Sequence, residues 1–356
     1  MKAPFVNRSE AAYVLPLRWG EPGAITELAS YLDRVLAEVD EVLVVDGSPP
    51  AVFAEHAAAL GDGIRHLPPH PDLEFAMGKV NGVITGLREC GAERVVIADD
   101  DVRYDAATLR RAMDLLDDAD LVRPQNYFDE LPWHARWDTA RSLLNRACTG
   151  DREFPVGDFP GTLAVRRSTF FRARAYDGEA LFENLELMRT MRAGGGRVLT
   201  PLDLYVARRP PSASHFRTQR VRQAYDDFAM PLRIGSFLAA GPLIGALATR
   251  RRWGALGSAG LAAIAVAELG RRRAGGRSRF PASSSLLAPA WIGERALCAW
   301  LALGCRLRGG VPYGGRRLRH AATPARRLRR RYSARGPGPS PGPGEAALSE
   351  RNPIVL

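Results

Sequence analysis

The sequence predicts an α/β fold with a mostly parallel sheet, followed by membrane-associated helices at the C-terminal end. Three observations carry that expectation. Residues 12–15 (AYVL), 24–39 and 41–45 (EVLVV) read as strand, amphipathic helix and strand. Such a βαβ unit has an almost invariably right-handed crossover. Residues 95–98 (VVIA) are too short for a helix, are rich in β-branched side chains, and end in three carboxylates, Asp99, Asp100 and Asp101; that is the pattern of a buried parallel strand meeting a ligand crevice. Beyond residue 230, apolar stretches alternate with arginine clusters.

The elements follow in order. The first strand stops at Pro16. In the helix after it, Ile25, Leu28, Leu32, Val35, Leu36 and Val39 recur at helical spacing and give one apolar face. The second strand delivers Asp46 to the sheet edge, where an aspartate either starts a turn, caps the next helix or faces a ligand. Residues 78–82 (GKVNG) lead into a helix that packs just before the 95–98 strand, and Lys79 at its start is the one internal lysine in a chain with 48 arginines. A compact ammonium can meet a phosphate or a ribose, although a lysine at a helix end is commonly just solvated. No glycine-rich dinucleotide or P-loop signature follows either strand. Three adjacent carboxylates raise one another's pKa unless compensated, so the cluster calls for a divalent cation with oxygen preference, Mg²⁺ or Mn²⁺. The plainer alternative is an acidic turn ahead of the helix that begins near Asp105.

Length allows one large domain of roughly 200 to 250 residues with an appendage. Of 50 basic and 39 acidic residues, 27 and 7 lie after position 200, so that part carries +20 and the remainder −9. Basic residues interleaved with apolar runs suit an anionic membrane surface and not a nucleic-acid face. Four cysteines (Cys90, Cys148, Cys298, Cys305) show neither zinc spacing nor a disulfide framework, and fit a reducing cytosolic setting. The first apolar stretch, residues 11–17, is too short for a signal peptide.

Together the segments 44–48 (VVDGS), 78–86 (GKVNGVITG) and the D-x-D formed by Asp99 and Asp101 resemble the inverting, family-two glycosyltransferases of the GT-A fold. The resemblance implies transfer of a sugar from a UDP- or GDP-sugar. Pro16, Asp46, Lys79, Asp99 and Asp100 would then line the nucleotide-sugar side, with Asp46 on the base, and Asp99 and Asp101 would hold Mg²⁺ or Mn²⁺ against the diphosphate. Gly161 and Thr162, in the short strand 161–165, would lie on the acceptor side. The segment 181–198 resembles the family's E-D motif at a helix start. Where the family's aspartate base is expected, this chain has Asn184, and an amide cannot accept the acceptor's proton. The role passes to Glu183, with Glu186 one turn further as the alternative. Residues 219–223 resemble the Q-x-x-R-W box of membrane-bound synthases and lipid glucosyltransferases, with Gln219 on the acceptor side, Arg222 on the diphosphate and Gln223 in place of tryptophan.

Around position 133 the sequence reads as a loop (Pro132, Trp133, His134) ahead of a helix over 138–147. Segments 234–249 and 253–269 span about 25 Å at 1.5 Å per residue, short of a hydrocarbon core of about 30 Å. A third, 286–303, carries Glu294 and Arg295 as an internal ion pair. Residues 306–332 are strongly basic and suited to lipid headgroups, and the proline- and glycine-rich tail over 333–356 is expected to be disordered. The expectation is therefore a GT-A catalytic domain over 8–230 on the cytoplasmic side of the cell membrane, a membrane-associated region over 231–305, and metal-dependent, inverting transfer to a membrane lipid or lipid-linked acceptor. A processive polysaccharide synthase and a catalytically dead membrane scaffold are the alternatives, the second prompted by Asn184.

Overall fold

The computed structural model describes residues 10–21, 23–150, 161–173 and 176–333. It opens with β1 (Ala11–Leu17), α1 (Ile25–Leu36), β2 (Glu41–Asp46), α2 (Pro50–Ala59), β3 (Ile64–Leu67), α3 (Gly78–Glu89) and β4 (Arg94–Ala98). The expected βαβ unit is there, and α1 buries Ile25, Leu28, Leu32 and Val35. Each such side chain contributes about 1.5–3 kcal/mol when fully removed from water. Contrary to expectation, β1 does not stop at Pro16. Leu17 O accepts from Gly47 N at 2.9 Å on the β2 side, so Pro16 turns its missing donor toward β4, where the ladder has already ended at the Val14–Ile97 pair. A proline costs no hydrogen bond there.

The chain continues through β5 (Val102–Arg103), α4 (Ala106–Asp114), β6 (Leu121–Val122), β7 (Gln125–Phe128), α5 (Trp133–Cys148), β8 (Thr162–Arg166), α6 (Arg167–Arg172), α7 (Glu183–Ala193), β9 (Val198–Leu199), β10 (Tyr205–Arg208) and α8 (Ala213–Asp226). Helix α5 begins at Trp133, not near Asp138, with Pro132 as its N-cap in an extended conformation that marks the boundary. The main sheet has the order β3-β2-β1-β4-β8-β6-β9. Pairing is parallel from β3 to β4 and between β6 and β9, and β8 is antiparallel to both β4 and β6. The sheet is thus mixed and mostly parallel, with β8 the reversed strand. A second sheet, β5-β10-β7, stands beside the C-terminal end of β4.

Glycines set how closely α3 lies on β1. A Cβ on Gly82 would fall 2.7 Å from Pro16 Cβ, and one on Gly86 would collide with Val14 Cγ1. This intimate contact carries the start of α3, and with it Lys79, to the sheet edge.

The C-terminal part comprises α9 (Pro231–Thr249), α10 (Trp253–Arg272), α11 (Ala282–Leu286), α12 (Ala288–Leu307), β11 (Val311–Tyr313), β12 (Arg316–Leu318) and α13 (Ala325–Ser333). Helices α9 and α10, of 19 and 20 residues, are longer than the apolar runs suggested and reach about 28–30 Å. By length and composition both are long and apolar enough to cross a membrane, and only 11% of each apolar window is buried. Leu232, Leu243, Trp253, Leu261 and Leu269 are exposed on them. Helix α12 behaves differently. Its expected internal ion pair does not form: Glu294 accepts two hydrogen bonds from Arg220 of α8 (2.7 and 2.6 Å) and one from Trp137 of α5 (3.0 Å), while Arg295 turns to Asp227 at 3.9 Å. Trp291 and Arg295 are buried, so α12 is docked on the α/β part. The basic stretch after residue 306 is folded as well, into the β11–β12 hairpin and α13. The expected disordered tail, apart from Ser333, lies outside the described residues.

Overpacking at the α3–β1 contact should be measurable. Gly86→Ala is expected to destabilise by about 1–3 kcal/mol, because the buried, β-branched Val14 cannot swing aside. Gly293→Ala in α12, where a new Cβ meets nothing within 4 Å, should be neutral or stabilising. Thermal denaturation of the two variants side by side checks this.

Candidate active site

Parallel strands β1, β2 and β4 end at one edge of the sheet, and helices α3 and α7 begin there. Asp99 follows β4. Its backbone N donates to Gly161 O at 2.8 Å, and Gly161 N in turn donates to Asn126 Oδ1 at 3.1 Å. A Cβ on Gly161 would run into the Asp99 carboxylate, so the glycine is what lets β8 pass beneath it.

Lys79 Nζ lies 2.6 Å from Asp99 Oδ1 and 2.8 Å from Glu183 Oε1, bridging the first turns of α3 and α7. Burial works against a charged lysine, but Asp99 and Glu183 outweigh it and hold the ammonium well above the ordinary range. Burial raises the Asp99 carboxyl, against the pull of Lys79 and with the added repulsion of Asp101 and Glu183. For Glu183 burial is outweighed, first by Lys79 and then by Arg222, so its carboxyl is held below the usual glutamate range and is ionised at neutral pH. Tyr176 is buried among the same charges. Its hydroxyl has no hydrogen-bond partner among the described residues, and its pKa is raised by burial first and then by Glu183.

The other two aspartates diverge. Asp100 accepts from the Trp19 indole. Asp101 Oδ2 accepts from Arg208 Nε of β10 at 2.7 Å, and Asp101 O accepts from Arg209 N at 2.8 Å. Asp101 Oδ1 is buried without a hydrogen-bond partner among the described residues. An orphaned carboxylate oxygen beside a second carboxylate fits the donor set a hard divalent cation prefers. Among the described residues, no three His, Cys, Asp or Glu side chains converge enough to hold a metal by themselves.

Asp46 is 1% exposed and fully engaged. Its Oδ1 accepts from Ser48 N at 2.8 Å, and its Oδ2 meets His56 Nδ1 at 2.7 Å and His66 Nε2 at 3.1 Å. Burial alone would raise its pKa, but hydrogen bonds from His66, Ser48 and His56 hold it far below the carboxylate range. The expectation of a carboxylate presented to a ligand is therefore altered: Asp46 organises a wall of His56, His66 and Trp19, whose ring stands edge-on to His56. Pro16 serves as the platform under Gly82 of α3. Thr162 does not face an acceptor. It is 1% exposed, donates to Ile97 O at 2.7 Å and pairs with the Tyr104 hydroxyl at 2.9 Å, because the alternation of β8 turns it into the core.

Glu183 and Glu186 part company although one turn separates them. Glu186 is 1% exposed and accepts from Thr323 N at 2.6 Å, away from Lys79. Burial raises its carboxyl, against that hydrogen bond. On α8, Arg222 Nη1 donates to Gln219 Oε1 at 3.0 Å, and its guanidinium lies 4.8 Å from the Tyr313 ring centroid. Asp226, one turn on, carries a buried Oδ1 with no hydrogen-bond partner among the described residues. Burial pushes it up to about 7, against the pull of Arg222 and with the repulsion of Glu183 and Asp227.

The structure thus brings together Lys79, Asp99, Asp101 and Glu183, sets Arg222 near Glu183, and separates Thr162 and Glu186 from them. Arg208, Tyr176, Tyr313, His56 and His66 were not legible as site residues. Arg208 is one arginine among 48, and nothing local marks the two histidines as partners of Asp46.

No protein-family model matches the sequence, and no curated protein does. Among solved structures, the chain is similar to a mannosyltransferase from Pyrobaculum calidifontis in complex with GDP-mannose and Mn²⁺. That match has 19% identity over 83% of this chain and 88% of the other, with a TM-score of 0.48. It is also similar to glucosyl-3-phosphoglycerate synthase from Mycobacterium tuberculosis in complex with Mn²⁺, UDP and phosphoglyceric acid, at 18% identity over 59% of this chain and 74% of the other, with a TM-score of 0.41. At TM-scores below 0.5 these likenesses assign nothing to the present chain.

Proposed function

We propose that this chain is a GT-A glycosyltransferase that moves a sugar, with inversion, from a UDP- or GDP-sugar to a hydroxyl of a membrane lipid or lipid-linked acceptor at the cytoplasmic face of the cell membrane. The observation that carries the reading is the lysine-bridged pair of carboxylates at the sheet edge, next to Asp101, one oxygen of which is unpartnered among the described residues. A Mg²⁺ or Mn²⁺ held by Asp99 and Asp101, and completed by the donor's diphosphate oxygens, would offset the negative charge that builds on the departing diphosphate.

The chain's own residues do the rest. The acceptor oxygen forms its bond to the anomeric carbon as the bond from that carbon to the diphosphate oxygen breaks, and the acceptor's proton passes to the Glu183 carboxylate. Lys79 keeps Glu183 ionised and aimed from the start of α7. Arg222, close enough to act on Glu183, can pair with a phosphate oxygen through its guanidinium. The base sits against the wall that Asp46 holds through His56 and His66, while Asp100 and Trp19 border the nucleotide side. Gly161 keeps the floor beneath Asp99 low, and Gln219, on the acceptor side, accepts from Arg222 and so steadies the guanidinium that faces the diphosphate.

The membrane part of the proposal rests on α9 and α10. Their apolar side chains are exposed, and Arg250, Arg251 and Arg252 join them, a charge pattern suited to anionic lipid. Two such helices among the described residues favour single transfer over processive synthesis, which needs a bundle of spans around a polymer.

Release of nucleoside diphosphate from a panel of UDP- and GDP-sugars with Mn²⁺ tests the catalytic reading. Glu183→Gln should lower turnover by about 10²- to 10⁴-fold with donor binding little changed. Asp101→Asn should remove Mn²⁺-dependent nucleotide binding in calorimetry. Absence of turnover by the native chain with every donor would point to the scaffold, and full activity of Glu183→Gln would remove it as the base. Flotation with phosphatidylglycerol vesicles tests the membrane reading. Binding should persist at about 1 M salt, where charge attraction is screened beyond about 3 Å, and should be lost when Leu232, Leu243, Leu261 and Leu269 are replaced by serine. Release by salt alone would reduce the attachment to charge.

A further inference from the structure

We infer that Glu186 is a positioning residue for Glu183, and that residues 311–323 are built into the candidate active site instead of forming a separate basic surface. The inference rests on the reading of Glu183 as the proton acceptor. It starts from the backbone just ahead of that residue. Ala180 forms a parallel bridge with His320, Leu181 N donates to His320 O at 3.0 Å, and Phe182 N donates to Ala321 O at 2.8 Å. The residues leading into Glu183 are therefore paired with a segment nearly 140 positions later, and not with either of the larger sheets.

One turn into α7, Glu186 closes the same contact from the side-chain direction, through the 2.6 Å bond from Thr323 N. A carboxylate that is 1% exposed is costly to bury unless such a bond compensates it, and a charge-assisted bond of this length is a strong one. Arg189 of α7 donates to Thr323 O at 3.1 Å and to Ala229 O, just beyond α8, at 3.1 Å. From α8, the Tyr225 hydroxyl donates to Arg319 O at 2.9 Å, and Arg222 covers the Tyr313 ring. The segment is clamped between the two helices that present Glu183 and Arg222. Its hairpin places an aromatic ring directly against Arg222.

Spacing explains why two glutamates divide the work. Three residues apart on a helix, they lie on neighbouring but not identical directions; Glu183 turns to Lys79 while Glu186 turns to Thr323. A proton acceptor must be held closely, since a displacement of about 1 Å can cost about 10²-fold in rate. Here the hold on the first turn of α7 comes from the far end of the chain.

The test compares the native full-length chain with Glu186→Ala, Glu186→Gln, Tyr225→Phe and Glu183→Gln. Two readouts are followed: nucleoside diphosphate release from the UDP- or GDP-sugar that the native chain turns over with Mn²⁺, and hydrogen exchange at the Leu181 and Phe182 amides. Glu186→Ala should speed exchange at both amides and lower kcat by about 10²-fold while donor KM stays within about twofold. Glu186→Gln, which keeps a carbonyl oxygen for Thr323 N, should recover most of the loss. Tyr225→Phe removes one hydroxyl without touching α7 and should give a smaller loss of the same kind, and it decides the matter if Glu186→Ala does not fold. Faster exchange at Leu181 and Phe182 with kcat unchanged overturns the inference, as does unaltered exchange in either variant. An inactive Glu183→Gln beside a fully active Glu186→Ala removes the positioning role alone. An active Glu183→Gln removes the reading of the base, and the positioning role with it.

Discussion

Lys79 stands between Asp99 and Glu183, 2.6 and 2.8 Å from their oxygens, and much of the molecule can be understood as what it takes to put one ammonium there. Three successive aspartates at a strand end and a glutamate at a helix start would repel one another in a poorly hydrated crevice, where charges interact several times more strongly than in water. Cations from distant parts of the fold relieve this. Lys79 arrives on α3, which reaches the sheet edge because Gly82 and Gly86 let the helix settle onto β1. Arg208 arrives on β10 of the small sheet and takes Asp101 at 2.7 Å. The small sheet is thus tied to the large one through charge as well as through β7 and β5. After both cations are accounted for, Asp101 Oδ1 is still without a hydrogen-bond partner among the described residues, and the proposed cation site rests on that remainder.

The C-terminal third is tied to the α/β part through buried polar contacts. Arg220 joins α8 to Glu294 of α12 and to Asp138 of α5, and Gln223 accepts from it at 2.9 Å. Gln223 therefore orders an arginine of the docking interface. Leaving any one of these buried charges alone would be strongly destabilising, whereas the complete set is compensated. Helix α10 lies so close to α5 that a Cβ at Gly270 would strike Leu143 O. The apolar helices are consequently not a free appendage, and the domain division at residue 230 understates how far the two parts share a core.

Much of the sheet edge was legible in the sequence for a physical reason. A β-branched run ending in carboxylates, a βαβ opening and a glycine-spaced helix start are local patterns that tertiary packing seldom overrides, and they led to Asp99, Asp101 and Lys79; Glu183, with Glu186 as the alternative, came from the resemblance of residues 181–198 to the E-D motif. What could not be read was pairing. Asp46 was visible as a strand-end aspartate, but its engagement by His56 and His66 depends on how α2 and β3 pack. Thr162 was placed on the wrong face because the strand's alternation is fixed by its antiparallel register with β4. Glu294 and Arg295 look like partners in sequence, yet consecutive helix residues do not face each other, and each finds a charge on another element. The basic run after residue 306 reads as a lipid-facing surface by composition alone. Only the fold shows that part of its backbone pairs with residues 180–182.

The most direct test of the Lys79 bridge is its coupling energy to Glu183. Stability of the native chain, Lys79→Met, Glu183→Gln and the double variant, each measured by denaturant unfolding, closes a thermodynamic cycle. Because the two groups touch in a largely buried site, the bridge predicts a favourable coupling of about 1–3 kcal/mol, with the double variant less destabilised than the single changes sum to. Effects that add to within about 0.5 kcal/mol would show that the ammonium and the glutamate do not stabilise one another, and would contradict the arrangement on which the proposed site is built.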